Sequence, residues 1–217
     1  MATDRPAAPT RSLRAQQRRD ATRVAILRAA GRRFRDRGFA ATAMRDIADA
    51  AGLSVANLYY YFAGKDEILF FCQDRSLDLM LDALGAARRA NGPVAERLAH
   101  VLRVHTEAML DEVEGAAAHL ATDALPAPLR RRIVTKRDRY EKGVRALVAA
   151  GVTNGEFEAG DVPVLTRAML GALNWTATWF RPEGERPASD VAATIARYLV
   201  RGLRPAFAHP IPEGPDR

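Results

Sequence analysis

The sequence predicts an all-α protein, and three observations carry that prediction. Apolar residues recur at helical spacing along most of the 217 residues. No stretch combines period-two alternation with β-branched enrichment, as a half-buried strand would. The periodic segments are interrupted at Gly and Pro, the residues that break helices: Asn91-Gly92-Pro93, Gly115, Pro126 and Pro128, residues 151–160 and residues 182–187.

Composition bounds the class. A hydrophobic fraction of 48% beside 27% charged residues is that of a globular chain and excludes a disordered one. The longest charge-free stretch lies between Asp49 and Lys65 and holds two Gly. It falls short of the roughly 18 apolar residues a membrane span needs. The start, Met1-Ala2-Thr3-Asp4-Arg5-Pro6, has no apolar h-region, so a cytoplasmic protein without membrane attachment is expected. Cys72 is the sole cysteine, which excludes an intramolecular disulfide framework and a multi-Cys zinc site. No cofactor or metal is expected.

Taken in order, residues 1–19 are polar and Arg-rich (Arg11, Arg14, Arg18, Arg19) without hydrophobic periodicity, and read as a mobile basic arm. From Asp20 onward, Val24, Leu27, Gly31 and Phe34 define one helical face with Ala30 beside them, and Gly38 stops the helix. A short helix follows over 43–51, starting at Thr42 or Ala43. Asp46 stands four residues after Thr42, one too many for a capping box built on that threonine. Gly52 suits a sharp turn, and Ser54 suits the N-cap of a second short helix over 55–61. Gly64 closes this unit and a long helix starts near Lys65. The expected domains are an arm at 1–19, a helix-turn-helix unit at 20–64, a larger helical domain at 65–207 and a frayed tail at 208–217.

Charge points to a partner. Residues 1–50 carry twelve Arg against five Asp, and the rest of the chain is neutral, so the whole net charge of +7 sits at the N-terminal end. This is the footprint of polyanion binding. Within the two short helices, Ile47, Ala48, Leu53, Leu58 and Phe62 are expected to face inward, with Ala51 allowing close approach. Tyr59, Tyr60 and Tyr61 cannot all be buried, because successive helical residues point about 100° apart. Exposed tyrosines beside a basic segment suit phosphate oxygens and thymine methyls, which favours a DNA-reading unit over a plain helical hairpin.

The stretch from Gly38 to Leu69, with Thr42, Arg45, Ile47-Ala48, Gly52-Leu53-Ser54, Asn57-Leu58-Tyr59, Tyr61-Phe62, Lys65 and Ile68-Leu69, resembles the DNA-binding domain of TetR-type repressors. The resemblance runs from about Asp20 to Leu69. It implies a homodimer whose recognition helices enter successive major grooves of a palindromic double-stranded operator, released by a small-molecule effector. Position by position, it implies base or phosphate contact by Arg45, base-edge contact by Val55, Ala56, Asn57 and Tyr60, and phosphate anchoring by Thr42, Tyr59, Tyr61 and Lys65. Ser54 joins this DNA-binding set as the cap of the recognition helix. Ala43 stands where the family often has a second Thr.

The larger domain should supply a dimer interface, from apolar residues 161–180, with small Ala168, Gly171 and Ala172, and the helix over 190–203. Trp175 and Trp179 lie four apart beside Asn174. They read either as core or interface packing, or as a ligand-cavity wall with Asn174 or Arg167 as polar anchor. The string from Ala168 to Gly184 resembles the TetR-type subgroup that senses acyl-CoA thioesters in fatty-acid or steroid catabolism. A drug-like apolar effector is the alternative. The basic cluster Arg130, Arg131, Arg132, Lys136, Arg137 and Arg139 reads as a solvated face or as a site for the phosphates of such a thioester. His100, His105, His119 and His209 have no metal or catalytic spacing and are expected on helix surfaces, and no phosphate-binding Gly loop is present, so an enzyme is not expected. A non-specific DNA-binding protein would lack the helical effector half.

Overall fold

A computed structural model describes residues 11–110 and 122–205. Among these are eight α-helices and one 3₁₀ turn, Thr122–Ala124, with no strand. The helices are α1 (Arg11–Ala41), α2 (Met44–Ala50), α3 (Val55–Tyr61), α4 (Lys65–Arg89), α5 (Val94–Leu110), α6 (Ala127–Thr153), α7 (Val162–Trp179) and α8 (Ala188–Gly202). Gly115, residues 1–10 and the tail 208–217 lie outside the described residues. The described chain forms two compact units, one drawn from residues up to Asp74 with those up to Arg130 that follow α5, the other from Arg75–Asp111 and Arg131 onward.

In the first unit α1 packs on α2, and α2 on α3. Ile26, Ala30, Phe34, Ile47, Ala48, Leu58 and Phe62 are buried at its centre, as the helical spacing of α1 and the turn pattern require. Gly38 breaks α1 with φ +78°, and the chain resumes one turn to Ala41.

Two boundaries differ from the sequence expectation. Residues 11–19 are helical rather than an arm, extending α1. Ser12 through Asp20 are exposed on every side, so no hydrophobic face marks the helix. Local bonds hold it: Gln16 Nε2 donates to Asp20 Oδ1 at 3.1 Å, and the Thr22 hydroxyl donates to the Arg18 carbonyl at 2.9 Å. The first unit also extends past residue 64 to Asp74. The Phe62 and Phe71 rings meet edge to face at 5.7 Å, and the Arg23 guanidinium covers both, 5.0 and 4.5 Å from their centroids. The first turns of α4 therefore belong to the core of the helix-turn-helix unit.

In the second unit α5 packs against α8 and α7. α4 and α6 approach closely at Gly143, where a Cβ would lie 2.0 Å from Leu84 Cδ2. Glu156 closes the N-terminus of α5. Its carboxylate accepts the Ala95 and Val94 N–H groups at 2.8 and 2.9 Å, and those two bonds hold it below the usual carboxylate range.

Candidate functional site

The helix-turn-helix is built by local bonds that the sequence specifies. Gly52 takes φ +66°, and the Leu53 N–H returns to the Ala48 carbonyl at 2.9 Å. The Ser54 hydroxyl then accepts the Asn57 N–H at 3.1 Å and starts α3. Leu58 and Phe62 anchor the inner face of α3, while Leu53 is only half-buried. The outer face carries Ala56, Asn57, Tyr59 and Tyr60 exposed, with Val55 and Tyr61 half-buried. Tyr60 is 68% exposed, and its ring meets the Tyr61 ring edge to face at 5.2 Å. Arg45 is exposed on α2. The structure thus brings Arg45, Val55, Ala56, Asn57, Tyr59, Tyr60 and Tyr61 together on one short helix pair with solvent access.

Two expected phosphate anchors are placed elsewhere. Thr42 is buried, and its hydroxyl lies 2.8 Å from the Gly38 carbonyl and 3.2 Å from that of Arg33. Lys65 Nζ donates to the carbonyls of Phe39, Ala40 and Thr42 at 3.0, 3.1 and 3.1 Å, and lies 4.6 Å from the Phe39 ring centroid. An ammonium has three donors, and all three serve here to cap the chain end that follows Gly38. In the free protein both residues thereby help fix the approach to α2.

The capping of α2 also differs in detail. Ala43, not Thr42, is the N-cap, so Asp46 stands at the third helical position and accepts the Ala43 N–H at 2.8 Å. This is one half of a capping box. Alanine has no side-chain oxygen to supply the other half.

In the second unit, the aromatic pair of α7 faces outward. Trp175 is 64% exposed and Trp179 48%, so in the single chain neither is core, and Tyr198 of α8 is exposed as well. Arg167 Nε lies 3.5 Å from a Glu141 oxygen, with its side chain largely in solvent. Asn174 alone of the four candidate ligand residues reaches inward: its Oδ1 lies 3.2 Å from His105 Nε2. His105 Nδ1 in turn lies 3.2 Å from the Tyr140 hydroxyl. Because the Asn174 oxygen only accepts, Nε2 carries the proton and Nδ1 accepts from Tyr140. Burial lowers the imidazole from 6.5 to about 4, outweighing the Asn174 bond, and raises the Tyr140 phenol.

His105 is therefore a core residue, against the expectation of a helix surface. The signal was in the sequence: Leu98, Val101, Leu102, His105 and Met109 share one helical face, and all are buried. Nothing in the spacing pointed to Tyr140 as its partner.

Comparison with known proteins places this architecture. Residues 91–203, just over half the chain, match the family described as tetracyclin repressor-like, C-terminal domain. The chain belongs to the TetR family. Residues 26–70 match its N-terminal part, the bacterial regulatory proteins of the tetR family. The TetR regulator PfmR from Thermus thermophilus is 32% identical, with a TM-score of 0.73, over 83% of this chain and 99% of that one. The repressor KstR2 of Rhodococcus jostii is 27% identical over 83% of this chain and 90% of its own length. AibR, solved in complex with isovaleryl coenzyme A and operator DNA, is 25% identical with a TM-score of 0.68, over 86% of this chain and 100% of that one. A TetR-family chain is a DNA-binding transcription regulator, not an enzyme, and the N-terminal unit is its DNA-binding part. No described helix is long and apolar enough to cross a membrane.

Proposed function

We propose that this protein is a ligand-responsive repressor. Its dimer holds a palindromic operator, and an acyl-CoA thioester of lipid or steroid catabolism releases it. The observation that carries the effector class is the likeness to AibR, whose structure holds both isovaleryl coenzyme A and operator DNA. The relationship to KstR2, a ketosteroid regulator, points the same way.

The chain's own chemistry supports an anionic, partly apolar ligand. Between α4 and α6 a groove of about 440 Å³ is lined by Arg88, Arg139 and Lys142, which outnumber the one carboxylate, Asp138, with apolar Leu81 and Leu84 beside them. Such a groove suits the phosphate-bearing end of a thioester. Elsewhere in the expected basic cluster, Arg130, Arg131 and Arg132 are exposed, and Lys136 is paired with Asp78 at 2.7 Å. Asn174, held by His105, is the polar anchor on α7; Arg167, about two turns earlier on the same helix, lies by Glu141. Trp175 and Trp179 present an exposed aromatic face of the kind a second copy covers.

On the DNA side, Asn57 and Tyr60 read base edges with Arg45, Val55 and Ala56 supply apolar contacts, and Tyr59 and Tyr61 hold phosphates. The test is titration of free CoA and acyl-CoAs of graded chain length against the operator complex. Release by a thioester but not by free CoA is expected. Failure at every chain length, with release by a drug-like apolar molecule instead, rejects the effector class.

A further inference from the structure

We infer that the first three turns of α1 form a second DNA-contacting element, a basic groove that grips the sugar-phosphate strand beside the recognition helix. Resting on the DNA-binding function of the family, the inference adds a site outside the helix-turn-helix. Four observations converge on it. The Arg-rich segment is a helix, so its side chains have fixed directions. A groove of about 740 Å³ runs between that helix and α3, lined by Ser12, Gln16, Arg18, Arg19, Tyr60 and Tyr61 among others. None of the described residues lining it is acidic, and Asp20, the nearest carboxylate in sequence, is held by the Gln16 amide. Finally, the Arg19 guanidinium lies over the exposed Tyr60 ring, 5.3 Å from its centroid.

This last contact ties the extension to the recognition helix itself. A guanidinium on an aromatic face keeps its edge N–H groups free to meet oxygens in the plane of the fork. Arg19 thus orients Tyr60 and still offers donors to a phosphodiester, with Arg18 one residue away along the groove. Ser12 adds a neutral donor of the kind that positions a backbone without reading its sequence. In the free protein the Lys65 ammonium is held by three backbone carbonyls, whereas Arg18 and Arg19 line the open groove.

The experiment measures binding of the full-length protein to an operator fragment selected from genomic DNA, and to a random duplex of equal length, across salt concentrations. Each phosphate that the protein no longer neutralises flattens the plot of log affinity against log salt by about 0.9. The R18Q/R19Q variant should flatten it by roughly 2 for one engaged copy and roughly 4 for two. It should weaken operator and random DNA alike and shorten the hydroxyl-radical footprint at the outer edge of each half-site. The R18K/R19K variant keeps the charge and should restore the slope while loosening Tyr60. An unchanged slope and footprint in R18Q/R19Q, with the wild type protecting a palindrome, overturns the groove and leaves the family function standing. Failure of the wild type to protect any two-fold site overturns both.

Discussion

The ammonium of Lys65 donates to the Thr42 carbonyl 23 residues earlier in the chain, and to two further carbonyls beside it. The first residue of α4 thereby caps the segment that leads into α2. Substitution Lys65→Met leaves three carbonyls without this partner and should cost about 2 kcal/mol of stability, the scale of hydrogen bonds to a charged group. The salt dependence of operator binding should stay as in the wild type. A slope flattened by about 0.9 per subunit, with stability unchanged, would show the lysine on phosphate instead.

Ala43 offers a gain rather than a loss. Its backbone already has the extended N-cap conformation, φ −94° and ψ 159°, and Asp46 already returns to its N–H. Ala43→Ser supplies the missing acceptor for the Asp46 N–H and should stabilise the protein by about 1 kcal/mol. The urea midpoint reads this directly; no shift means the free N–H groups of α2 lose nothing to water.

Asn57 is the one amide on the outer face of α3, placed there by the Ser54 cap on its own N–H. Asn57→Ala should reduce discrimination at one base pair of each half-site by about 1–3 kcal/mol and leave random-sequence affinity nearly unchanged. An equal loss on both DNAs would move Asn57 to the backbone-contacting class.

His105 gives the protein an acid limit. In the unfolded chain its imidazole titrates near 6.5, whereas burial, with Arg137 as a smaller contributor, lowers it to about 4 in the fold. Between those values the unfolded chain binds the extra proton, so stability falls as pH drops through that window. The full effect is on the order of 3 kcal/mol. His105→Gln keeps polar atoms near Tyr140 and Asn174 but removes the titration. Its unfolding free energy should change less than the wild type's between pH 7 and pH 4.5, and parallel curves would show that carboxylates carry the whole effect.

The sequence showed most of what local chemistry determines. Gly38, Gly52 and Ser54 each announce a chain reversal or a cap through a conformation or hydrogen bond that few residues supply, and each behaves so in the fold. Contacts made across the chain were hidden. Nothing near Lys65 in sequence reveals the carbonyls it finds more than twenty residues away. The helix over 11–19 was hidden for the opposite reason: solvated on all sides, it has no apolar stripe, and its stability comes from propensity and i,i+4 pairs.

The exposed face of α7 can be tested without any ligand. Trp175→Glu puts a charge where an aromatic surface awaits cover, and should shift sedimentation from dimer toward monomer at micromolar concentration. A dimer as tight as the wild type would place the interface on another face.

An aromatic face of this kind would also tie operator binding to the amount of protein present. Were Trp175, Trp179 and Tyr198 the surface on which two subunits meet, scarce protein would yield few dimers. While monomers predominate, occupancy of a two-fold site grows with the square of the amount of protein. In that case the controlled genes would respond steeply to the amount of the regulator itself, before any effector arrives.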